Sequence, residues 1–293
     1  MKLEARHTMK TLHHSLSALF GAVPLFVLAS AAHASLYTNQ VGPNITYMNI
    51  NEFDSQSVGP PPVSSTPTGL FGAPTLSPAG SDNLSFPTST FIALVADGQF
   101  EFQDGKLTMD IAPTSPTGTL DSLTFDEGGA WRVTGSDASV EATLLFNDLR
   151  ITSLDNVPLA DPIIVTPTFS QTITVQNGSP STDTGPGDVA IGTGDGGDAN
   201  GIWDITATFD LDAALADAEM TGNITGVSVA LDDQLLGDTG VDEESELNLG
   251  QIDKKHIIIS GTTTTGPIVP EPASISGLLL GAAGLVMRRR RMA

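Results

Sequence analysis

Over the middle of the chain apolar and polar residues alternate with a period of two. Only an extended strand with one buried face turns that period into structure. The run Phe91-Ile-Ala-Leu-Val-Ala96, Asp97-Gly98, Gln99-Phe-Glu-Phe-Gln103, Asp104-Gly105, Lys106-Leu-Thr-Met-Asp-Ile-Ala112 carries the pattern most densely. Asp-Gly suits a type I′ turn, whose two central residues need φ > 0, so the two Asp-Gly pairs predict two tight hairpins in succession. A two-residue turn also fixes register. Val95 is then expected to face Phe100, Phe102 to face Leu107 and Phe100 to face Met109. Gln99, Glu101, Gln103, Thr108 and Asp110 take the solvent side.

The same period recurs in Val140-x-Ala142-x-Leu144-x-Phe146, Phe169-x-Gln171-x-Ile173-x-Val175 and Trp203-x-Ile205-x-Ala207-x-Phe209. With Tyr47 to Phe53, Ile224 to Leu231 and His256 to Ser260, these runs predict about ten strands. One short helix is expected from a cap at Asp212 through Met220, with Leu211, Leu215 and Ala218 on one face. The natural way to bury so many one-faced strands is an all-β, two-sheet antiparallel β-sandwich, jelly-roll-like in architecture. Residues 58–90 are expected to form a Pro-rich surface loop within that single domain. Seven prolines, among them Pro60-Pro61-Pro62, fall between Val58 and Pro87.

Composition narrows the function classes. The 293 residues include no Cys, which excludes disulfides, thiolate nucleophiles and Cys-ligated metal sites. Twelve Lys plus Arg stand against 34 Asp plus Glu, a net charge of −22. That balance opposes binding to a phosphate backbone, so no nucleic-acid partner is expected. A hydrophobic share of 40% supplies a core.

Both ends read as addresses. Lys2, Arg6 and Lys10 precede an apolar run from Leu16 to Ala29, and Ala32-His33-Ala34 is the small-x-small pattern that signal peptidase accepts. Residues 1–34 are therefore expected to be a signal peptide cut between Ala34 and Ser35, and translation from Met9 would leave the same logic intact. At the other end Val269-Pro270-Glu271-Pro272 is followed by 15 uncharged residues, Ala273 to Met287, and then by Arg288, Arg289, Arg290 and Arg291. Fifteen helical residues reach about 22 Å, short of a ~30 Å hydrocarbon core, which suits a transient hold. The arginines stay cytoplasmic by the positive-inside rule, placing the preceding chain outside, as the signal peptide independently requires.

Pro-Glu-Pro, apolar helix and arginine cluster in this order resemble the PEP-CTERM sorting signal of Gram-negative bacteria that make exopolysaccharide. The resemblance covers residues 269–292. It implies an exported precursor held in the inner membrane by residues 270–293 as a short transmembrane sorting helix. An exosortase then cuts near the motif and passes the protein to the cell surface or extracellular matrix. It implies no catalytic residues.

Ser35 to Val269 is expected to be the secreted domain. It keeps five basic residues, Lys106, Arg132, Arg150, Lys254 and Lys255, against 32 carboxylates. Nineteen carboxylates lie between Arg150 and Lys254 without one Lys or Arg among them. His256 is the only histidine left after processing, and Asp253-Lys254-Lys255-His256-Ile257-Ile258-Ile259 reads as a polar turn entering a buried strand. A Ser-His-Asp triad would have to use it, and neither that setting nor the missing G-x-S-x-G elbow favours one, so His256 is expected to be structural. A carbohydrate-active enzyme built on paired carboxylates is the weakest of the functional readings, since the many acids single out no pair.

The segment Gly194-Asp195-Gly196-Gly197-Asp198-Ala199-Asn200-Gly201-Ile202-Trp203-Asp204 has a calcium-loop flavour. Hard cations want oxygen ligands converging from a tight loop, and Asp198-x-Asn200-Gly201 matches positions 3, 5 and 6 of such a loop. Gly196 stands where the first acid belongs and Ala207 where the last belongs, so it is no EF-hand. It reads as a solvated acidic hairpin loop or as a looser calcium site using Asp195, Asp198, Asn200 and Asp204. The functional expectation is a non-enzymatic structural or adhesive protein of exopolysaccharide or biofilm. The alternative is a calcium-assisted carbohydrate-binding module.

Overall fold

A computed structural model describes residues 34–59, 63–65, 69–88, 90–96, 98–135, 137–193, 197–240 and 248–265. In chain order the elements begin with β1 (Ala34–Leu36), β2 (Gln40–Val41), β3 (Ile45–Gly59), β4 (Val63–Ser65), β5 (Thr75–Leu76) and β6 (Leu84–Phe86). Then come β7 (Ile92–Ala96), β8 (Phe100–Pro113), β9 (Gly118–Thr134), β10 (Ala138–Leu154), β11 (Val157–Ile164) and β12 (Thr168–Asn177). The last are β13 (Ser181–Gly185), β14 (Asp188–Gly192), β15 (Ala199–Asp210), the helix α1 (Leu211–Asp217), β16 (Ile224–Thr239) and β17 (Leu249–Thr265).

All the strands pair antiparallel in two sheets. One has the order β1-β3-β8-β16-β10-β14-β13, with β2 and β4 beside β3 and β11 beside β10. The other runs β12-β15-β9-β17-β6-β5, with β7 also on β17. The long strands β8, β9 and β10 alternate between sheets, as do β15, β16 and β17, so each crossing carries an apolar face against its counterpart. Phe125 of β9 meets Phe146 of β10 edge to face at 4.9 Å, and Phe146 meets Phe209 of β15 at 4.7 Å. The Tyr47 hydroxyl of β3 donates to the Ile259 carbonyl of β17 at 3.2 Å. Val140, Ala142 and Leu144, and likewise Trp203, Ile205, Ala207 and Phe209, are buried as their period predicts and Phe146 is partly so, whereas Phe169, Gln171 and Ile173 on the edge strand β12 are only half-buried.

Three expectations need correcting. First, Phe91 to Ala112 is no double hairpin. β7 joins β17 in one sheet while β8 runs unbroken through Asp104-Gly105 in the other. Gly105 is glycine for room: a Cβ there would lie 2.5 Å from the Phe71 ring and 3.2 Å from the Phe91 ring. The faces are also reversed over the first half of β8, with Glu101 and Gln103 buried and Phe100 and Phe102 half-exposed. The free edge of β7 explains the reversal. Glu101 accepts from the Leu94 N–H at 2.8 Å and Gln103 donates to the Ile92 carbonyl, so these side chains satisfy backbone groups that no strand among the described residues pairs.

Second, the Pro-rich segment is more than a surface loop. Among its described residues Leu70, Phe71, Leu84 and Phe86 are buried, and β5 and β6 extend the second sheet. Two inward acids of β3 hold it down: Glu52 accepts from the Phe71 N–H at 2.7 Å and Asp54 from the Leu70 N–H at 3.0 Å. Pro60, Pro61 and Pro62 lie outside the described residues. Third, the helix cap is Asp210, the last residue of β15, whose carboxylate accepts from the Ala213 N–H at 2.9 Å. Capping there lets Leu211 enter the helix buried and leaves Asp212 in the first turn, and the helix ends at Asp217.

Candidate functional site

The residues singled out for sorting fall at or beyond the limits of the described chain. Ala34 and Ser35 open β1, opposite Phe53 and Glu52 of β3. Ala32, Pro270, Glu271, Pro272, Arg288, Arg289, Arg290 and Arg291 lie outside the described residues, as does Asp195 of the acidic segment. Asp198 is exposed just before β15, and Asn200 is paired within it, opposite Arg132 and Asn177. Asp204 lies four residues farther along the same extended strand, about 13 Å away at ~3.3 Å per residue. The structure thus does not bring Asp204 to Asp198 and Asn200.

Asp204 instead joins a cluster on the outer face of the second sheet. In a lateral row across β15, β9 and β17, Asp204 pairs with Gly128 and Gly128 with His256. A bulge in β17 between Lys254 and His256 sends His256 outward; without it the inward parity of Lys254 would carry through. His256 is therefore inside a long strand rather than at a turn. Its Nε2 lies 3.4 Å from Asp126 Oδ2, and Thr206 donates to the other Asp126 oxygen at 2.9 Å. Gly128 keeps the row open, since a Cβ would come within 2.8 Å of the imidazole.

The hydrogen bond to Asp126 raises the His256 pKa and lowers that of Asp126, while burial and then the Asp126 charge raise that of Asp204. One ligand atom from each of the three lies within 4.8 Å of the others. An imidazole with two carboxylates is a donor set for borderline divalent ions such as zinc, whereas calcium takes oxygen donors.

Directly behind this row, facing the core, is a second cluster. Gly129 is flanked by Trp203 of β15 and Lys254 of β17. A Cβ on Gly129 would collide with the Asp253 carbonyl and approach Trp203 Nε1 to 2.9 Å, so the glycine lets indole and lysine lie side by side. The Lys254 ammonium lies 2.6 Å from Glu127 Oε2 of β9 and directly against Asp233 Oδ1 of β16, across the sandwich. The rings of Phe91 and Trp203 lie 4.8 and 5.5 Å from Nζ. Relative exposures of 1% for Lys254, 1% for Glu127 and 0% for Asp233 leave the three charges dry. Burial, followed by the Glu127 charge, pushes the Asp233 carboxyl well above the ordinary carboxylate range. Glu127 Oε1 and Asp233 Oδ2 find no hydrogen-bond partner among the described residues.

This inner cluster escaped the sequence reading, although its signal is written there. Each member occupies an inward position in an otherwise apolar alternation: Phe125-x-Glu127, Leu231-x-Asp233-x-Leu235 and Ile252-x-Lys254. A charge at the core-facing step of a buried strand implies a partner, because an unpaired one costs too much. The sequence alone does not say that the three interruptions meet. Neither a protein-family model nor a curated protein matches this chain.

Proposed function

We propose that the protein is exported, processed at both ends and displayed at the cell surface or in an exopolysaccharide matrix. There its jelly-roll-like sandwich serves as a structural or adhesive body without enzymatic activity. The observation that carries this reading is the pair of terminal sequence patterns, a signal peptide before the domain and a Pro-Glu-Pro, apolar, arginine tail after it. The expected signal-peptidase cut falls after Ala34, the first residue of β1, and the Pro270-Glu271-Pro272 motif follows Thr265, the last described residue of β17, so the described sandwich belongs to the expected secreted domain. The sorting reading itself rests on the two terminal patterns. The interior adds support: the acids and lysine drawn inward tie elements of the sandwich to one another.

Mass spectrometry of surface and matrix fractions tests the reading. The expected chain begins at Ser35 and lacks the arginine cluster, and deletion of residues 270–293 should prevent its sorting. Mature surface protein that retains Arg288 to Arg291 would sink the proposal.

A further inference from the structure

The inner cluster holds an amine and a carboxyl in contact, in a dry site, with a second carboxyl touching the amine. We propose that Lys254 and Asp233 condense to an intramolecular amide that bonds β17 of one sheet to β16 of the other, with Glu127 carrying the protons. This inference goes beyond the sorting reading and does not rest on it.

The geometry supplies what the reaction needs. Nζ is the nucleophile, and it touches an oxygen of the carboxyl it would attack while Glu127 Oε2 stands 2.6 Å away to take its proton. The three side chains project from paired strands in the middle of their sheets, so little motion separates them. Such fixed proximity replaces a bimolecular encounter and raises the effective concentration of amine around acid by many orders of magnitude. In water this condensation is blocked because amine and acid ionise to ammonium and carboxylate. Here the Phe91 and Trp203 rings and the closed sandwich exclude the solvent that favours those ions.

One lysine faces two carboxyls, so a cluster without net charge contains one acid in its neutral form. Burial and the adjacent Glu127 charge favour the neutral form of Asp233, and the reaction starts from that state. From Lys254 ammonium, Glu127 carboxylate and Asp233 carboxylic acid, the atoms balance as follows. Glu127 takes one proton from Nζ, and the lone pair left on nitrogen attacks Asp233 Cγ, forming the C–N bond. The tetrahedral centre then loses its hydroxyl group, which takes a second Nζ proton relayed by Glu127 and leaves as water. The third proton remains as the amide N–H, and Glu127 ends as a neutral acid. No oxidant, reductant or cofactor takes part. The product removes the buried ion pair, and one Asp233 oxygen departs with the water. In a chain without cysteine it supplies a covalent tie between sheets.

Intact-mass spectrometry of the full chain, folded and then denatured, reads the bond directly. The wild type should be lighter than its sequence, after any terminal processing, by one water molecule. Trypsin finds no site between Arg150 and Lys254, so both partners stay in one peptide. Chymotrypsin, cutting at leucines such as Leu235 and Leu249, should release a branched peptide joining Asp233 to Lys254, which separates the amide from a succinimide of equal mass. Lys254→Arg and Asp233→Ala should restore the full mass. Glu127→Gln, folded by circular dichroism, should remain uncondensed. A folded wild-type chain at full mass overturns the proposal, as does a mass loss mapped to other residues. Condensation in Glu127→Gln at the wild-type rate overturns the role given to Glu127.

Discussion

Lys254 and His256 stand two residues apart on β17, on either side of one bulge, and face opposite media. Each has two acids beside it and a glycine of the same Gly128-Gly129 step across from it. Outside, water reaches His256, Asp126 and Asp204, screens their charges and limits such a pair to roughly 0.2–1 kcal/mol. Inside, no water shares the charge on Lys254, Glu127 and Asp233. Each must be paired, neutralised by a proton or removed by bond formation. Similar residue types thus become a weak surface cluster on one side of a strand and a reactive core cluster on the other. Burial decides between them.

Neighbouring lysines test that contrast most severely. Lys254→Ala removes the group that ties β17 to Asp233 of β16, as ammonium or as amide, and leaves two buried acids facing each other, so it should cost about 3–5 kcal/mol in denaturant unfolding. Lys255, whose side chain is 61% exposed beside Asp253, should lose at most about 0.5 kcal/mol on the same substitution. Equal losses would mean that the bulge does not separate the two faces.

A second comparison concerns β8, where polar side chains point in and phenylalanines out. Leu107→Ala should cost about 2–5 kcal/mol as a core truncation. Glu101→Ala should cost about 1 kcal/mol by releasing the Leu94 N–H. Phe102→Ala should fall well below Leu107→Ala in the same thermal or chemical melts, and a full core-sized loss there would restore the double-hairpin register.

The third test asks whether an interior acid is neutralised by a proton. Burial, with the neighbouring Glu52, pushes the Asp54 carboxyl from 3.8 up to about 8. Between those values the folded chain keeps a proton that the unfolded chain has released, so stability falls as pH rises across the interval. Asp54→Asn should flatten that slope in melting temperatures, and an unchanged slope would show that Asp54 is ionised in the fold. The smallest effect belongs outside. The raised His256 pKa gives a contribution present below its ordinary value of 6.5 and lost as pH rises through the folded value. His256→Ala should therefore cost about 0.2–1 kcal/mol in acid and converge on the wild type in base. A constant difference would assign the residue to packing alone.

The errors of sequence reading share one cause with its successes. Period-two alternation identified the strands at Val140 and Trp203 because their apolar sides face the core, as an isolated amphipathic strand would predict. It failed at Glu101 and Gln103 because their partners are backbone groups of β7, supplied by the crossing between sheets. Asp104-Gly105 suggested a turn because Gly permits φ > 0, yet the missing Cβ was needed for two rings from distant segments. Asp204 was legible as an acid in a Gly-rich neighbourhood, but its companions, Asp126 and His256, belong to other strands.

By itself the sequence determined the all-β class, the strands with unbroken alternation, the acidic balance and the absence of thiol chemistry, since these follow from local period and composition. Its terminal patterns also define the sorting expectation, which stays with the sequence. Only the tertiary structure decided which polar residues were enclosed, because enclosure depends on sheet pairing and on a single extra residue in β17. That bulge sends Lys254 into the core and His256 out, and residues 127, 233 and 254 become one chemical unit only where β9, β16 and β17 pack together.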